Sequence, residues 1–353
     1  MLKFDSMETI KIAVDAMGGD HAPAIVIEGV VDYIRENQRD EGYKIVLVGK
    51  EKEINKELKK YKNFRRDRLE IVDALEEISM KEHFLSYWRK REETSIKKAI
   101  DLVKNDQAKA MVSAGNTGAV MALAKTVLGS IKNIDRPALA IMIPTLKGNS
   151  LLVDVGANTD SKPHNLVQFA LMGKVYLENI FGIKNPRIAL MNIGEEEIKG
   201  NELTKTTHNL LKQLDINFVG NVEGRDVYLG EADLIVTDGF TGNVALKVSE
   251  GVVDAMLSML KREIMSNAFS KIGFFFLKRS LKRIKKKLDY AEYGGALLLG
   301  VNGIVIIGHG GSNAKAIKNA IYLSYKFISQ KVLQKISLEI EKTQISLPEL
   351  KHG

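Results

Sequence analysis

The chain has 353 residues, of which 45% are hydrophobic and 27% charged, and its formal net charge is +8. This balance is typical of a globular protein and excludes a disordered chain, a collagen-like repeat and a coiled-coil rod. The sequence contains no cysteine, which excludes disulfides, Cys-ligated zinc, iron–sulfur clusters and a cysteine nucleophile.

Strand-like segments, glycine-rich turns and helix-like segments alternate along the chain. Apolar, β-branched runs predict strands at 11–16, 44–48, 109–114, 150–155, 187–193, 217–220 and 233–237. Helical periodicity predicts helices at 24–37 and 119–128, and a long helix that begins at Val244. This alternation predicts an α/β fold with three layers, in which helices cover both faces of a doubly wound, mostly parallel sheet.

Three glycine-rich turns follow predicted strands and precede predicted helices. They read MGGDHAP at 17–23, SAGNTGA at 113–119 and DGFTGNV at 238–244. Backbone N–H groups at helix starts bind anions, and glycines allow close approach. The phosphate-binding candidates are therefore Gly18, Gly19, Asn116, Thr117, Thr241, Gly242 and Asn243. Because ligands bind at the carboxyl ends of parallel strands, we expect these turns to share one sheet edge. The alternative is that they are ordinary βα turns.

The usual nucleotide-binding fingerprints are absent from these turns. No turn reads GxxxxGK[ST] or GxGxxG, so neither a P-loop ATPase nor a dinucleotide site of the usual type is supported. The echo between GNTG at 115–118 and GFTG at 239–242 indicates either a duplicated βα unit or convergence on the same turn chemistry.

Candidates for acid–base chemistry lie in or beside the same turns. His21 and His309 are the two histidines in glycine-rich turns, and Asp20 and Asp238 flank the predicted phosphate contacts. Lys199 lies among Glu195, Glu196, Glu197 and Glu202, a group that could do acid–base work, hold a metal or start a solvated helix. We predict catalytic roles for His21, Asp20, Asp238, His309 and Lys199, with Arg136 as an alternative source of positive charge. No zinc-ligand spacing such as HExxH occurs, so no metal site is expected.

A basic segment at 271–288 holds eight lysines and arginines and no acidic residue. Its apolar residues recur at helical spacing, which is typical of a helix that lies in an anionic membrane surface. The predicted membrane-binding residues are Phe274, Phe275, Phe276, Leu277, Leu281 and Ile284. The same stripe could instead pack in a dimer, and the cations could bind an acidic protein or a nucleic acid.

Ten motifs in order resemble the bacterial phosphate acyltransferases of phospholipid synthesis, also called acyl-ACP:phosphate transacylases. They include IAVDAMGGDHAP, VSAGNTGA, DVGAN, NIGEEEIKGNELTK, VTDGFTGNVALK and HGGSNAKAI, and they extend from about residue 10 to about 329. The resemblance implies transfer of a fatty acyl group from acyl carrier protein to inorganic phosphate. The acyl phosphate would serve a downstream membrane glycerol-3-phosphate acyltransferase.

The resemblance also implies a fold similar to isocitrate dehydrogenase and phosphotransacetylase, a homodimer, peripheral membrane association and no organic cofactor. We expect one α/β domain at 9–334, which includes an amphipathic helical element at 255–290, and a C-terminal appendage at 335–353. The sequence departs from the family pattern at 78–95, at Lys162–Asn165 and at His309–Ser312.

With no cysteine available, the simplest reaction is direct attack of bound phosphate on the thioester. Three alternatives belong to other classes: a CoA-linked phosphotransacetylase, a nicotinamide dehydrogenase of the same fold, and a non-enzymatic nucleic-acid-binding protein. The last is disfavoured because the cations are confined to one segment that has no RNA-recognition motif. The longest apolar stretch, at 296–308, is too short for a membrane span, and the N-terminus has no signal-peptide core. We therefore expect a cytoplasmic protein at the inner face of the cell membrane.

Overall fold

The computed structural model describes residues 9–80, 93–266, 269–270, 273–274, 276–279, 281, 283 and 292–346. The strands are β1 Ile10–Asp15, β2 Tyr43–Gly49, β3 Leu69–Asp73, β4 Ala110–Ser113, β5 Ala138–Thr145, β6 Gly148–Val153, β7 Ile188–Met191, β8 Phe218–Val222, β9 Leu234–Val236, β10 Ala296–Leu299 and β11 Ile304–Ile307. The α-helices are α1 Ala24–Glu36, α2 Glu51–Leu58, α3 Ser95–Lys104, α4 Thr117–Leu128, α5 Pro163–Tyr176, α6 Glu202–Lys212, α7 Gly239–Ser266, α8 Ala314–Ser329 and α9 Val332–Ser346. Each of the seven predicted strands is present, and so are the helices predicted at 24–37, at 119–128 and from Val244, the last of which begins at Gly239.

All of these strands form one sheet of eleven strands, in the order β3-β2-β1-β4-β11-β10-β5-β6-β9-β7-β8. The first five strands in this order are parallel to one another, and the last four are also parallel to one another. Strands β10 and β5 lie between these two groups. Here β10 is antiparallel to β11 and to β5, and β5 is antiparallel to β6. The sheet is therefore mostly parallel, as predicted, but its two parallel halves run in opposite directions.

The reversal of direction corrects the expectation that all of the glycine-rich turns share one sheet edge. The carboxyl ends of β1, β4 and β11 lie at what we call the first edge. Those of β6, β9 and β7 point the opposite way, to what we call the second edge. The hairpin of β5 and β6 contributes to this reversal of strand direction, because Ala140 pairs with Val153 and Thr145 pairs with Gly148 in antiparallel register. The turns at 17–23 and 113–119 thus lie at the first edge, and the turn at 238–244 lies at the second.

The two halves of the sheet are offset along the strand direction. A row of paired residues crosses the join between them and consists of Val112, Ile306, Leu297, Ala140 and Val153. The carboxyl ends of β4, β11 and β6 therefore lie at the same level. This offset lets turns from the first and second edges approach one another where the halves join.

Helices cover both faces of the sheet, which gives the predicted three layers. One core contains side chains of α1, α5 and α8, and the opposite core contains side chains of α3 and α4. The parallel strands read as almost continuous apolar runs because both of their faces are buried. The described part of the predicted C-terminal appendage belongs to α9, where Ile336 and Ile340 are buried against the first of these cores.

The basic segment is described only in part. Phe274, Phe276, Leu277 and Leu281 are helical, whereas Phe275 and Ile284 lie outside the described residues. Phe276 and Leu277 are exposed. Among the described residues, no helix combines the length and the hydrophobicity that crossing a bilayer requires.

Candidate active site

The first edge is organised by a buried carboxylate, Asp15, at the end of β1. Its Oδ2 accepts a hydrogen bond from Ser113 Oγ at 2.6 Å, and its Oδ1 accepts one from the N–H of Met17 at 3.1 Å. A Cβ atom at Gly18 would lie 2.5 Å from Asp15 Oδ2 and 2.7 Å from the nitrogen of Gly115. Gly18 therefore serves close packing of the turns that follow β1 and β4.

A small hollow lies at the first edge, beside the start of α1. Gly18, Gly19, His21, Gly310 and Ser312 are among its lining residues, and its volume is about 10 Å³. That volume holds about one water molecule. The buried hydroxyl of Ser312 has no hydrogen-bond partner within the described part of the chain. Three of the predicted site residues thus line a hollow that is too small for a phosphate ion.

The second edge is organised in the same way by Asp154, which follows β6. Its two carboxylate oxygens accept hydrogen bonds from the backbone N–H groups of Leu139, Gly156, Ala157 and Asn158 and from Asn158 Nδ2, at 2.8–3.1 Å. Burial raises the pKa of the Asp154 carboxyl, and the hydrogen bonds from Ala157 and Leu139 oppose that rise. Asp15 and Asp154 thus hold the turns at the two edges.

The start of α7 at the second edge is capped by Asp238. Its Oδ1 accepts a hydrogen bond from the N–H of Thr241 at 2.9 Å, and its Oδ2 accepts one from Thr241 Oγ1 at 2.7 Å. Gly242 follows directly, and a Cβ atom there would lie 1.9 Å from the carbonyl oxygen of Asp154. Asp238 and Thr241 therefore form hydrogen bonds with each other at this helix start.

A larger cavity of about 260 Å³, which we call the central cavity, lies over one face of the sheet where the two halves join. It receives Thr117, Gly308 and His309 from the first edge and Gly156 and Asn243 from the second. Its other polar lining residues are Lys247, Glu250 and Tyr293. Its apolar lining residues are Leu139, Ile141, Val155, Leu246, Ala296 and Ile307. The cavity is thus where residues from both halves of the sheet meet.

Two residues from the first edge that can donate hydrogen bonds, Thr117 and His309, line this cavity. Thr117 is the first residue of α4, and the N–H groups of Thr117 and Gly118 lie in the first turn, where a helix offers them no acceptor of its own. His309 Nδ1 accepts a hydrogen bond from the N–H of Gly311 at 3.1 Å, so the neutral ring carries its proton on Nε2. The start of α4 and the side chain of His309 therefore both line the cavity from the first edge, where a helix start suits an anion.

The structure brings some of the predicted site residues together and separates others. The central cavity unites Thr117, Asn243 and His309, from turns at the two sheet edges. Asn116 is engaged elsewhere, because its Oδ1 caps α4 through the N–H of Ala119 and its Nδ2 donates to the carbonyl of Met80. The exposed Lys199 lies beyond β7 at the second edge and does not line the central cavity.

Lys247, Glu250 and Tyr293 are cavity residues that sequence reasoning missed. Lys247 Nζ lies 2.7 Å from Glu250 Oε2, and Tyr293 donates a hydrogen bond to Asn149 Oδ1 at 2.6 Å. Burial raises the pKa of Tyr293. Lys247 and Glu250 follow Asn243 by four and seven residues, so the three share a face of α7. That spacing is a signal from which the sequence could have identified them.

Comparison with known proteins agrees with this architecture. The model of a family described as fatty acid synthesis protein matches residues 10–335. The chain belongs to this family. A relative from Dictyoglomus thermophilum named phosphate acyltransferase is 51% identical over 329 residues, which cover 93% of this chain and 96% of the relative. A second protein of that name, from Geobacter sulfurreducens, is 47% identical over 332 residues and 94% of each chain.

The fold is also found among solved structures. A phosphotransacetylase from Streptococcus pyogenes superimposes with a TM-score of 0.58 at 18% identity, over 91% of this chain and 94% of that one. This likeness confirms the predicted phosphotransacetylase-like fold of this family member.

Proposed function

We propose that this protein transfers an acyl group from a thioester to inorganic phosphate in the central cavity and releases acyl phosphate. The names of the relatives at 47–51% identity support the reaction. The observation that carries the assignment to this cavity is its lining, which combines anion-binding groups from both sheet edges with an apolar floor. The hollow at the first edge has room for about one water molecule, so we place phosphate in the larger cavity.

Phosphate binds between the start of α4 and the first turns of α7 in this proposal. The N–H group of Thr117, at the start of α4, donates a hydrogen bond to it from one side. His309 donates from the same sheet edge, and the side-chain amide of Asn243 donates from α7. Lys247, about one helical turn after Asn243 on α7, supplies positive charge that its ion pair with Glu250 partly offsets.

The reaction needs positioning and charge stabilisation more than proton transfer. A phosphate oxygen attacks the thioester carbonyl, the C–O bond forms, and the tetrahedral intermediate then expels the thiolate. Fixed donors in the cavity lining that do not hold the phosphate stabilise the oxyanion, and removing one such donor typically costs about 10²–10³ in kcat. Holding the phosphate beside the carbonyl supplies much of the remaining rate enhancement. The thiolate leaves without needing a proton.

The acyl donor in this proposal is acyl carrier protein, an acidic protein. The described cations of the basic segment, Lys278, Arg279 and Arg283, are exposed and suit an acidic partner. The acyl phosphate then passes to a membrane glycerol-3-phosphate acyltransferase. The predicted catalytic roles of Asp20, His21 and Lys199 stay predictions outside this proposal, because none of the three lines the central cavity.

The proposal includes a homodimer that associates peripherally with the inner face of the cell membrane. The stripe that supports self-association lies on α7, where large apolar side chains are exposed at helical spacing. These side chains are Val244, Val248, Val252, Met256 and Met259. The exposed Phe276 and Leu277 beside the cations support membrane contact.

The test is to incubate the purified protein with acyl-acyl carrier protein and inorganic phosphate, and to trap acyl phosphate with hydroxylamine. We expect Asn243→Ala and His309→Ala each to lower kcat/KM by about 10²-fold. Asn209→Ala, which alters an exposed asparagine on α6, is the matched control and should leave the rate unchanged. Near-normal turnover in both cavity variants would remove the central cavity from the chemistry.

The same assay separates the two acyl donors. With acyl-CoA in place of acyl-acyl carrier protein, we expect a lower kcat/KM. A higher value with CoA would instead identify a CoA-linked phosphotransacetylase.

A further inference from the structure

Three apolar residues form a row across the floor of the central cavity. Ile307 of β11 pairs with Ala296 of β10, and the register of Leu297 with Ala140 places Ile141 of β5 beside Ala296. All three line the cavity. Neighbouring strands lie about 4.8 Å apart, so the row is about 10 Å long.

The cavity floor is recessed at the middle of this row because the residues there have small side chains or none. Ala296 lies between two isoleucines, and Gly295, which precedes it, also lines the cavity. Gly295 has a φ of +124°, and a Cβ atom there would lie 2.6 Å from the carbonyl oxygen of Ile307. The backbone geometry therefore keeps position 295 free of a side chain, and the floor forms a groove between Ile141 and Ile307.

The polar and apolar residues of the cavity are arranged so that a molecule with one charged end fits. Thr117 and His309 lie at the first edge, and Leu246 of α7 contributes an apolar side chain to the lining. Leu139 and Val155 continue the apolar surface beyond Ile141 towards the second edge. An unbranched hydrocarbon chain can lie along such a groove while its polar end stays with the hydrogen-bond donors.

We infer that the groove over Ala296, between Ile307 and Ile141, holds the donor's acyl chain and that Ala296 limits the chain length that reacts. This inference rests on the proposed function. Each buried methylene changes binding by about fourfold. A side chain that fills the groove at position 296 therefore penalises long chains and spares short ones.

The experiment measures kcat/KM for a series of saturated acyl donors, from short to long chains, with Ala296→Leu and Ile141→Ala. We expect Ala296→Leu to lower kcat/KM for the longest donors about tenfold relative to the shortest, with the KM for phosphate unchanged. Ile141→Ala widens the groove and should shift the preference towards longer chains. Ala122→Leu, which adds the same side chain to α4 outside the cavity lining, should leave the preference unchanged.

Thermal melting of each variant identifies any that is unfolded. Ile141 is only partly buried, so Ile141→Ala keeps the inference testable if Ala296→Leu does not fold. An equal loss at every chain length, or a raised KM for phosphate alone, would overturn the assignment of this groove to the acyl chain. Absence of acyl phosphate from the unmodified protein with every donor would instead overturn the proposed function.

Discussion

Ser113 Oγ donates a hydrogen bond of 2.6 Å to Asp15 Oδ2 and so joins the ends of β1 and β4. Asp154 has the corresponding position in the other half of the sheet, where a Cβ atom at Gly239 would lie 2.6 Å from its Oδ2. In each half, a buried aspartic acid side chain at the end of one strand supports the glycine-rich turn of the neighbouring strand. This arrangement gives the echo between GNTG and GFTG a structural counterpart.

The buried carboxyl of Asp15 makes stability depend on pH. Burial raises its pKa above the ordinary value of 3.8, and hydrogen bonds from Ser113 and Ser95 oppose that rise. The folded protein therefore holds this proton at pH values where the unfolded chain has released it. The contribution of Asp15 to stability is full below about 3.8 and is lost as pH rises through the raised pKa.

Asp15→Asn removes this titration, so its stability relative to the unmodified protein should increase as pH rises from about 4 towards neutrality. The direction of this change follows from the raised pKa of Asp15 in the folded protein. Chemical denaturation at a series of pH values measures it. A relative gain that shrinks with rising pH would show that Asp15 is ionised in the folded protein.

Two glycines of α7 should respond to alanine in opposite ways. A Cβ atom at Gly242 would lie 1.9 Å from the carbonyl oxygen of Asp154, whereas nothing lies within 4 Å of one at Gly251. Gly242→Ala should therefore cost about 1–3 kcal/mol of stability, and it should lower activity because it displaces Asn243. Gly251→Ala should stabilise the helix by about 0.5–1 kcal/mol. Urea denaturation measures both, and equal effects would contradict the close packing at Gly242.

The sequence predicted the strands and helices well because their signals are local. Apolar, β-branched runs and helical periodicity located β2 and α1 to within about two residues. The direction of the second half of the sheet was not predicted, because it depends on how distant strands pair. The sequence did contain a local signal for the β5–β6 hairpin, because Leu146–Lys147 and Gly148 separate two apolar runs. In the structure, Gly148 has a φ of +141°.

The composition of the site was harder to predict than the fold. Thr117, Asn243 and His309 were identified because glycine-rich turns have a recognisable chemistry, although they come from opposite edges of the sheet. Lys247 and Glu250 resemble an ordinary exposed ion pair three residues apart on a helix. Only the position of α7 against the sheet shows that this pair lines the cavity.

The exposed apolar stripe on α7 predicts self-association. Val248 and Met256 are 60% and 64% exposed, and large exposed apolar patches mark interaction sites. We expect a dimer in analytical ultracentrifugation and a weakening of about 100-fold or more in the double variant Val248→Glu, Met256→Glu. Leu338→Glu places the same charge on an exposed leucine of α9 and should leave the dimer intact. Dissociation by Leu338→Glu alone would place the interface elsewhere.

The exposed end of the basic segment predicts binding to anionic vesicles. Phe276 and Leu277 are 77% and 58% exposed and directly precede Lys278 and Arg279, so apolar insertion and charge attraction act at one place. In sedimentation with anionic vesicles, we expect Phe276→Ala, Leu277→Ala to reduce partitioning about tenfold or more. Added salt should weaken vesicle binding by the unmodified protein. The control variant Leu338→Ala should bind vesicles as tightly as the unmodified protein. Sedimentation that neither the double variant nor salt changes would rule out this contact and favour a role for the segment between subunits.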